Sequence, residues 1–140
     1  MGVFEKAVII EFIPQRAPIV MVDEFLGVEG NVSISRLTIE PDNIFCEEGA
    51  FSECGVIEHI AQSAALRMGY IYKNQGKEVP LGYIGSVNKF KFYYSPLVGD
   101  KLQTKITVEQ ELMNISLISA VVTKEDIVVA ECTMKIFLQE

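Results

Sequence analysis

The apolar positions of the chain change period twice, which divides it into segments of β, α and again β character. "IVMVDEFLGV" has the nearly continuous apolar character of a buried strand, and "NVSISRLTI" alternates with a period of two. A turn at Glu29, Gly30 and Asn31 joins them. Between about Gly55 and Asn74 the apolar residues recur at three- and four-residue steps, and this spacing predicts one long helix.

Every strong segment after this helix predicts a β-strand. Alternation in "GYIGSVNKFKFYY", "KLQTKITVEQEL", "NISLISAVVTK" and "IVVAECTMKIFL" gives four of them. The first dozen residues predict a short helix that ends at "PQRAP", because proline cannot continue it. "EPDNIFCEEGAFSEC" has no period and predicts a loop. The sum predicts an α+β fold, in which a mostly antiparallel sheet of five or six strands wraps around one long central helix.

Length, composition and charge exclude several classes of function. The chain of 140 residues predicts a single domain over 1–140, with 49% hydrophobic and 22% charged residues as in ordinary globular proteins. A net charge of −7 argues against nucleic-acid binding. No apolar run approaches the ~20 residues of a membrane span. Cys46, Cys54 and Cys132 match no zinc pattern, so we expect reduced thiols, no metal and a cytoplasmic protein.

The predicted helix carries three polar residues on its first two turns, Glu58, His59 and Gln62, although its spacing and its small residues suit burial. Glu58 is either a first-turn acid favoured by the helix dipole or a proton carrier in a cavity. His59, the sole histidine, is turned by about 100° from Glu58 around the helix. It is therefore either a packed or interface residue or a second proton carrier. Gln62, one turn beyond Glu58, is suited to orienting it.

Three stretches in order resemble the hotdog-fold 3-hydroxyacyl-acyl-carrier-protein dehydratases, in their divergent, dehydratase-like branch. "IPQRAPIVMVDEFLGVEG" is similar to the family's Pro-His-Arg-x-Pro opening and the strand ending in Val-Asp. "IEHIAQSAA" is similar to its helix signature Leu-Glu-x-Leu-Ala-Gln-x-Ala, and "IGSVNKFKFYYSPLVGDKL" to the strand before a Pro-Gly-Asp turn. The resemblance implies a hotdog fold and a dimer with sites at the subunit interface. It also implies a substrate carried as a thioester on the phosphopantetheine of acyl carrier protein or coenzyme A, without another cofactor.

By position, the resemblance gives Glu58 the role of the family's catalytic carboxylate and Gln62 that of its glutamine one turn later. The family's catalytic histidine lies in a Gly-His-Phe-Pro run before the helix, where this chain reads "IFCEEGAF". His59 is therefore the second candidate for proton transfer. Dehydration also needs hydrogen-bond donors at the thioester oxygen. Free amides at a helix start are such donors, so Gly55 and Val56, together with Gln62, are expected to bind the substrate.

Three functions remain open at this stage. The first is a dehydratase or hydratase-like lyase of fatty-acid or polyketide-type biosynthesis. The second is a hotdog thioesterase, in which a helix carboxylate activates water and no histidine is needed. The third is a non-catalytic, dehydratase-like subunit that binds acyl chains or completes another subunit's site. A sheet around one helix leaves open edges, so we expect a homodimer, or a dimer of dimers.

Overall fold

One long helix and the antiparallel sheet around it dominate the computed structural model, which describes residues 3–139. The helices are α1 (Lys6–Ile9) and α2 (Glu53–Asn74). The strands are β1 (Phe4–Glu5), β2 (Glu24–Glu29), β3 (Val32–Thr38), β4 (Cys46–Glu47), β5 (Ala50–Phe51), β6 (Gly82–Phe92), β7 (Lys101–Leu112), β8 (Ile115–Lys124) and β9 (Ile127–Leu138). The predicted α+β architecture is confirmed, and α2 begins at Glu53 rather than Gly55. Neither helix of this part of the chain has the length and apolar character to cross a membrane.

The main sheet has seven antiparallel strands in the order β1-β2-β3-β7-β8-β9-β6. Six of them are long, as predicted, and β1 has only two residues. β4 and β5 form a separate two-stranded hairpin inside the stretch that was expected to be a loop. β6 pairs with β9 alone, so its other side is an open edge of the sheet.

The core lies between α2 and the inner face of the sheet. Helix residues Val56, Ile60 and Ala64 pack there against buried residues of the later strands. The aromatic series of β6, including Phe90 and Phe92, packs against the edge of the same cluster. A second cluster joins α1 and the start of β2 to the outer part of α2; its members are Ile9, Ile13, Val20, Val22, Phe25 and Leu66.

The segment 19–23 precedes β2, and side chains of α2 satisfy its buried backbone at Met21. The Met21 N–H donates to Oε1 of Gln62 at 2.6 Å, and the Met21 carbonyl accepts from Nδ1 of His59 at 2.6 Å. On the other side of the ring, Nε2 of His59 lies 2.7 Å from Oγ1 of Thr104 on β7. Buried peptide groups require partners, and here two helix side chains replace the missing strand neighbour.

His59 is held in its neutral form by this environment. Burial lowers its pKa from the ordinary 6.5 to about 4, and the bond to the Met21 carbonyl opposes that shift only in part. A carbonyl can only accept, so Nδ1 carries the proton and Nε2 accepts the hydroxyl hydrogen of Thr104. His59 therefore joins α2 to the 19–23 segment and to β7 as a neutral, fully satisfied core residue.

We predict that His59 makes the stability of the protein depend on pH. The unfolded chain takes up a proton at this residue below about pH 6.5, and the folded chain only near pH 4. The contribution of neutral His59 to the free energy of unfolding is therefore complete above pH 6.5 and is lost as the pH falls towards 4. Between pH 7 and pH 5 the free energy of unfolding should drop by about 2 kcal/mol from this group. Urea unfolding at the two pH values measures the difference.

The variant His59→Gln should remove most of this pH dependence, at the cost of lower stability at pH 7. Because the chain has a single histidine, its imidazole resonances can be followed directly by NMR in the wild type. A ring that titrates between pH 6 and pH 7 in the folded protein would contradict the prediction.

Candidate active site

A groove of about 320 Å³ runs along one face of α2. Its lining is apolar except for three side chains, Gln15, Glu58 and Tyr83. The helix contributes Glu58, Ala61, Ala64, Ala65 and Met68, the opposite wall is formed by residues 79–84 with Ile136 and Leu138 of β9, and Phe12, Pro14 and Gln15 close one side. We call this cavity the α2 groove. A wider cleft of about 720 Å³ shares Phe12, Pro14 and residues 79–81 with it.

Glu58 is half-buried at one end of the helix wall, and Gln62 fixes one of its carboxylate oxygens. Nε2 of Gln62 donates to Oε2 of Glu58 at 2.8 Å and to the carbonyl of Ile19 at 2.8 Å. Since Oε1 of Gln62 accepts from the Met21 amide, the whole carboxamide is engaged. Within residues 3–139, Oε1 of Glu58 receives no hydrogen bond and is free to meet a ligand.

The structure places His59 away from the α2 groove, although it is the neighbour of Glu58 in the chain. Its ring is fully buried on the side of α2 that faces β7, and both ring nitrogens are bonded. The 100° step between adjacent helix residues is the physical reason. The geometry therefore gives His59 a packing role, the first of the two alternatives that the sequence left open.

Gly55 and Val56 do not reach the groove either, and their amides are used within the helix start. Oγ of Ser52 accepts from the Gly55 amide at 3.2 Å, and the Ser52 carbonyl accepts from the Val56 amide at 3.1 Å. Glycine is required at position 55 because a Cβ there would lie 2.6 Å from the Phe51 ring. The lack of a side chain at Gly55 thus serves packing of the hairpin, and the two amides expected to bind the thioester oxygen are already bonded to Ser52.

Gln62 lies against Glu58, where it can orient the carboxylate, and not in the wall of the groove where a substrate-binding residue would lie. It is fully buried and does not line the groove, so it reaches a bound molecule only through Glu58. Its three hydrogen bonds make it a positioning residue, which holds the carboxylate against the 19–21 segment.

The N-terminal loop supplies the wall of the groove that the sequence did not predict. Gly69 lets this loop lie against α2, since a Cβ at that position would overlap the backbone carbonyl of Phe12. Beyond it, Nη1 of Arg16 donates to the carbonyls of Ile13 and Gln15, at 2.8 Å in each case. The motif "IPQRAP" marked this segment, but no periodicity showed that Gln15 lines the same cavity as Glu58.

Glu58 is the one carboxylate among the side chains that line the groove. Glu58 and Tyr83 are the titratable residues of its lining, and the Tyr83 hydroxyl donates to Gln139 at 3.0 Å. The loop acids Glu47 and Glu48 are exposed on the β4–β5 hairpin. Between residues 3 and 139, no three His, Cys, Asp or Glu side chains are grouped as metal ligands would be.

Known proteins resemble this chain in sequence over nearly its whole length. A family model described as ApeP dehydratase matches residues 7–140. The 3-hydroxyacyl-[acyl-carrier-protein] dehydratase FabZ of Lactobacillus helveticus is 29% identical, over 90% of this chain and 87% of the relative. The FabZ of Cupriavidus taiwanensis is 31% identical, over 91% of each chain.

Among solved structures, a chain of the dehydratase heterocomplex ApeI:P from Xenorhabdus doucetiae has a similar fold, with a TM-score of 0.88. The two chains are 15% identical, and the match covers 94% of this chain and 91% of the other. This likeness confirms the hotdog fold that the three sequence stretches implied. By the extent of the family match and the identity to the FabZ proteins, the chain belongs to the ApeP-like family of hotdog-fold dehydratases.

Proposed function

We propose that this protein removes water from a 3-hydroxyacyl thioester to give a 2-enoyl thioester, with Glu58 as the proton carrier. The observation behind this proposal is the carboxylate itself, which stands in an otherwise apolar groove with one oxygen held and the other free. Apolar cavities with a few placed polar groups are typical small-molecule sites. An acyl chain on the phosphopantetheine of acyl carrier protein or coenzyme A suits this lining.

The elimination can be written with Glu58 alone. Its free oxygen takes the proton from C2, and the electron pair left on C2 forms the C2–C3 double bond as the C3–O bond breaks. The protonated carboxyl group then gives the same proton to the departing hydroxide, which leaves as water. The carboxylate is regenerated, so the cycle needs neither His59 nor a second acid.

We predict that Glu58→Gln lowers the rate of dehydration by about 10²–10⁴-fold, because an amide cannot carry the proton. Absorbance of the conjugated enoyl thioester follows the reaction from a 3-hydroxyacyl thioester. Glu53→Gln is the matched control, since Glu53 is an exposed acid in the first turn of the same helix. Its turnover should equal that of the wild type.

Unchanged turnover in Glu58→Gln would reject the assignment of Glu58. Release of free thiol from a saturated acyl thioester, without enoyl product from the hydroxyacyl substrate, would instead identify a thioesterase. His59→Gln, assayed at pH 7 after a check of folding, should keep the enoyl-forming activity if the ring has only its packing role.

We propose a dimer as the working form, because one wall of the groove belongs to an open sheet edge. The β6 edge and the residue before it expose Leu81, Tyr83 and Ile84 beside the groove. An unpaired apolar edge of this kind favours pairing with another chain. A homodimer, possibly paired again, is the simplest assembly that covers it.

Light scattering should give twice the chain mass at micromolar concentration. The variant Ile84→Lys places a charge on the β6 edge and should shift the protein to the single-chain mass. Leu112→Lys, at an exposed site next to the β7–β8 turn, should leave the mass unchanged. A wild type that is monomeric at these concentrations would refute the dimer.

A second candidate is a subunit that completes a mixed site with a different dehydratase-like chain. It is favoured by the burial of the sole histidine, which cannot serve a neighbouring copy either, and by the likeness to a heterocomplex. Activity that appears only on mixing with such a subunit, and disappears in Glu58→Gln, would establish it. Binding to that subunit, with activity that Glu58→Gln does not change, would indicate a non-catalytic role.

In either case we propose the cytoplasm as the compartment, in keeping with the free thiols of Cys46, Cys54 and Cys132.

A further inference from the structure

The α2 groove contains another polar side chain, Gln15, to which neither the sequence pattern nor the family resemblance gave a role. Its Oε1 atom is buried and has no hydrogen-bond partner. Buried polar side-chain atoms in folded proteins nearly always have a partner. Because Oε1 is enclosed, the accessible end of the amide is the Nε2 group, which donates no hydrogen bond within residues 3–139 and belongs to a side chain that lines the same apolar groove as Glu58.

The backbone around Gln15 is well held, so the amide is presented from a fixed position. Its carbonyl accepts from Nη1 of Arg16, which also ties the carbonyl of Ile13 at the same distance of 2.8 Å. Directly before Ile13, the chain rests on α2 through Phe12, whose ring contacts Tyr70 edge-to-face with centroids 5.9 Å apart.

The chemistry of the proposed reaction requires a donor that the expected amides of Gly55 and Val56 do not provide. When a proton leaves C2, negative charge develops on the thioester oxygen, and this oxygen needs N–H donors. The amides of Gly55 and Val56 are engaged with Ser52, and the carboxamide of Gln62 is engaged with Glu58, Ile19 and Met21. The amide of Gln15 is the remaining N–H donor among the side chains that line the groove.

We propose that the Gln15 carboxamide donates a hydrogen bond to the thioester carbonyl oxygen of the substrate, across the groove from Glu58. A carboxamide does not ionise near neutral pH, so the role of Gln15 is to stabilise the negative charge on the thioester oxygen while Glu58 transfers the proton. This role rests on the proposed dehydration, and it makes Gln15 a residue in direct contact with the reacting thioester.

The test compares Gln15→Met with Gln110→Met, each in the assembly that is active as wild type. Methionine keeps the length of glutamine and removes the N–H donor, and Gln110 is an exposed residue of β7 outside the groove. Gln15→Met should lower kcat by about 10²–10³-fold, as loss of one oxyanion donor does. Its KM should change by less than about threefold, because the lost interaction strengthens mainly in the transition state. Gln110→Met should match wild type.

A spectroscopic measurement separates contact with the thioester from a merely structural effect. The carbonyl stretch of a saturated, ¹³C-labelled acyl thioester should move to lower frequency on binding to wild type and to Gln110→Met. The shift should be absent in Gln15→Met and in the second donor-free variant Gln15→Leu. A wild type without the shift overturns the proposal, as does a Gln15→Met protein that keeps it or keeps full turnover.

This measurement also distinguishes the proposal from the function on which it rests. The saturated thioester cannot lose water, so the carbonyl shift reports the Gln15 contact even if the wild type fails to dehydrate any hydroxyacyl substrate. Conversely, loss of turnover in Glu58→Gln with no effect of Gln15→Met would keep the dehydratase and reject the role of Gln15.

Discussion

The peptide unit of Met21 is the point on which the site depends. Within segment 19–23, the Asp23 amide donates to the Arg36 carbonyl of β3, whereas the N–H and carbonyl of Met21 have no strand partner among residues 3–139. Gln62 satisfies the first and His59 the second, at 2.6 Å each. An unpaired peptide group inside a protein costs on the order of 1–3 kcal/mol, so these two polar residues stabilise the contact of segment 19–23 with α2.

The same contact positions the catalytic candidate. Gln62 uses one N–H for the Ile19 carbonyl and the other for Glu58, so the carboxylate is fixed relative to the segment that α2 supports. His59 secures the far side of that segment to β7 through Thr104. Core packing and site geometry are therefore parts of one hydrogen-bonded network, and a change at Gln62 would disturb both together.

The period of the pattern predicted the helix and the long strands well, because burial of one face is what sets each period. The period alone could not predict which face of a strand turns inward where the size of a side chain matters more than its polarity. Along β3, Ser33 and Ser35 are fully buried under α2, whereas Val32 and Ile34 are half-buried on the other side. Nor could it predict Gln15, since the cavity wall arises from a long-range contact between the N-terminal loop and α2.

The free oxygen of Glu58 has a stereochemical consequence. Because Oε2 is tied to Gln62, a single oxygen must approach the acyl chain from one side of the groove. If that oxygen both removes the C2 hydrogen and protonates the leaving hydroxyl, the two groups depart from the same face, and the elimination is syn. The groove then accepts one enantiomer of the 3-hydroxyacyl substrate, and Glu58 removes one of the two prochiral hydrogens at C2.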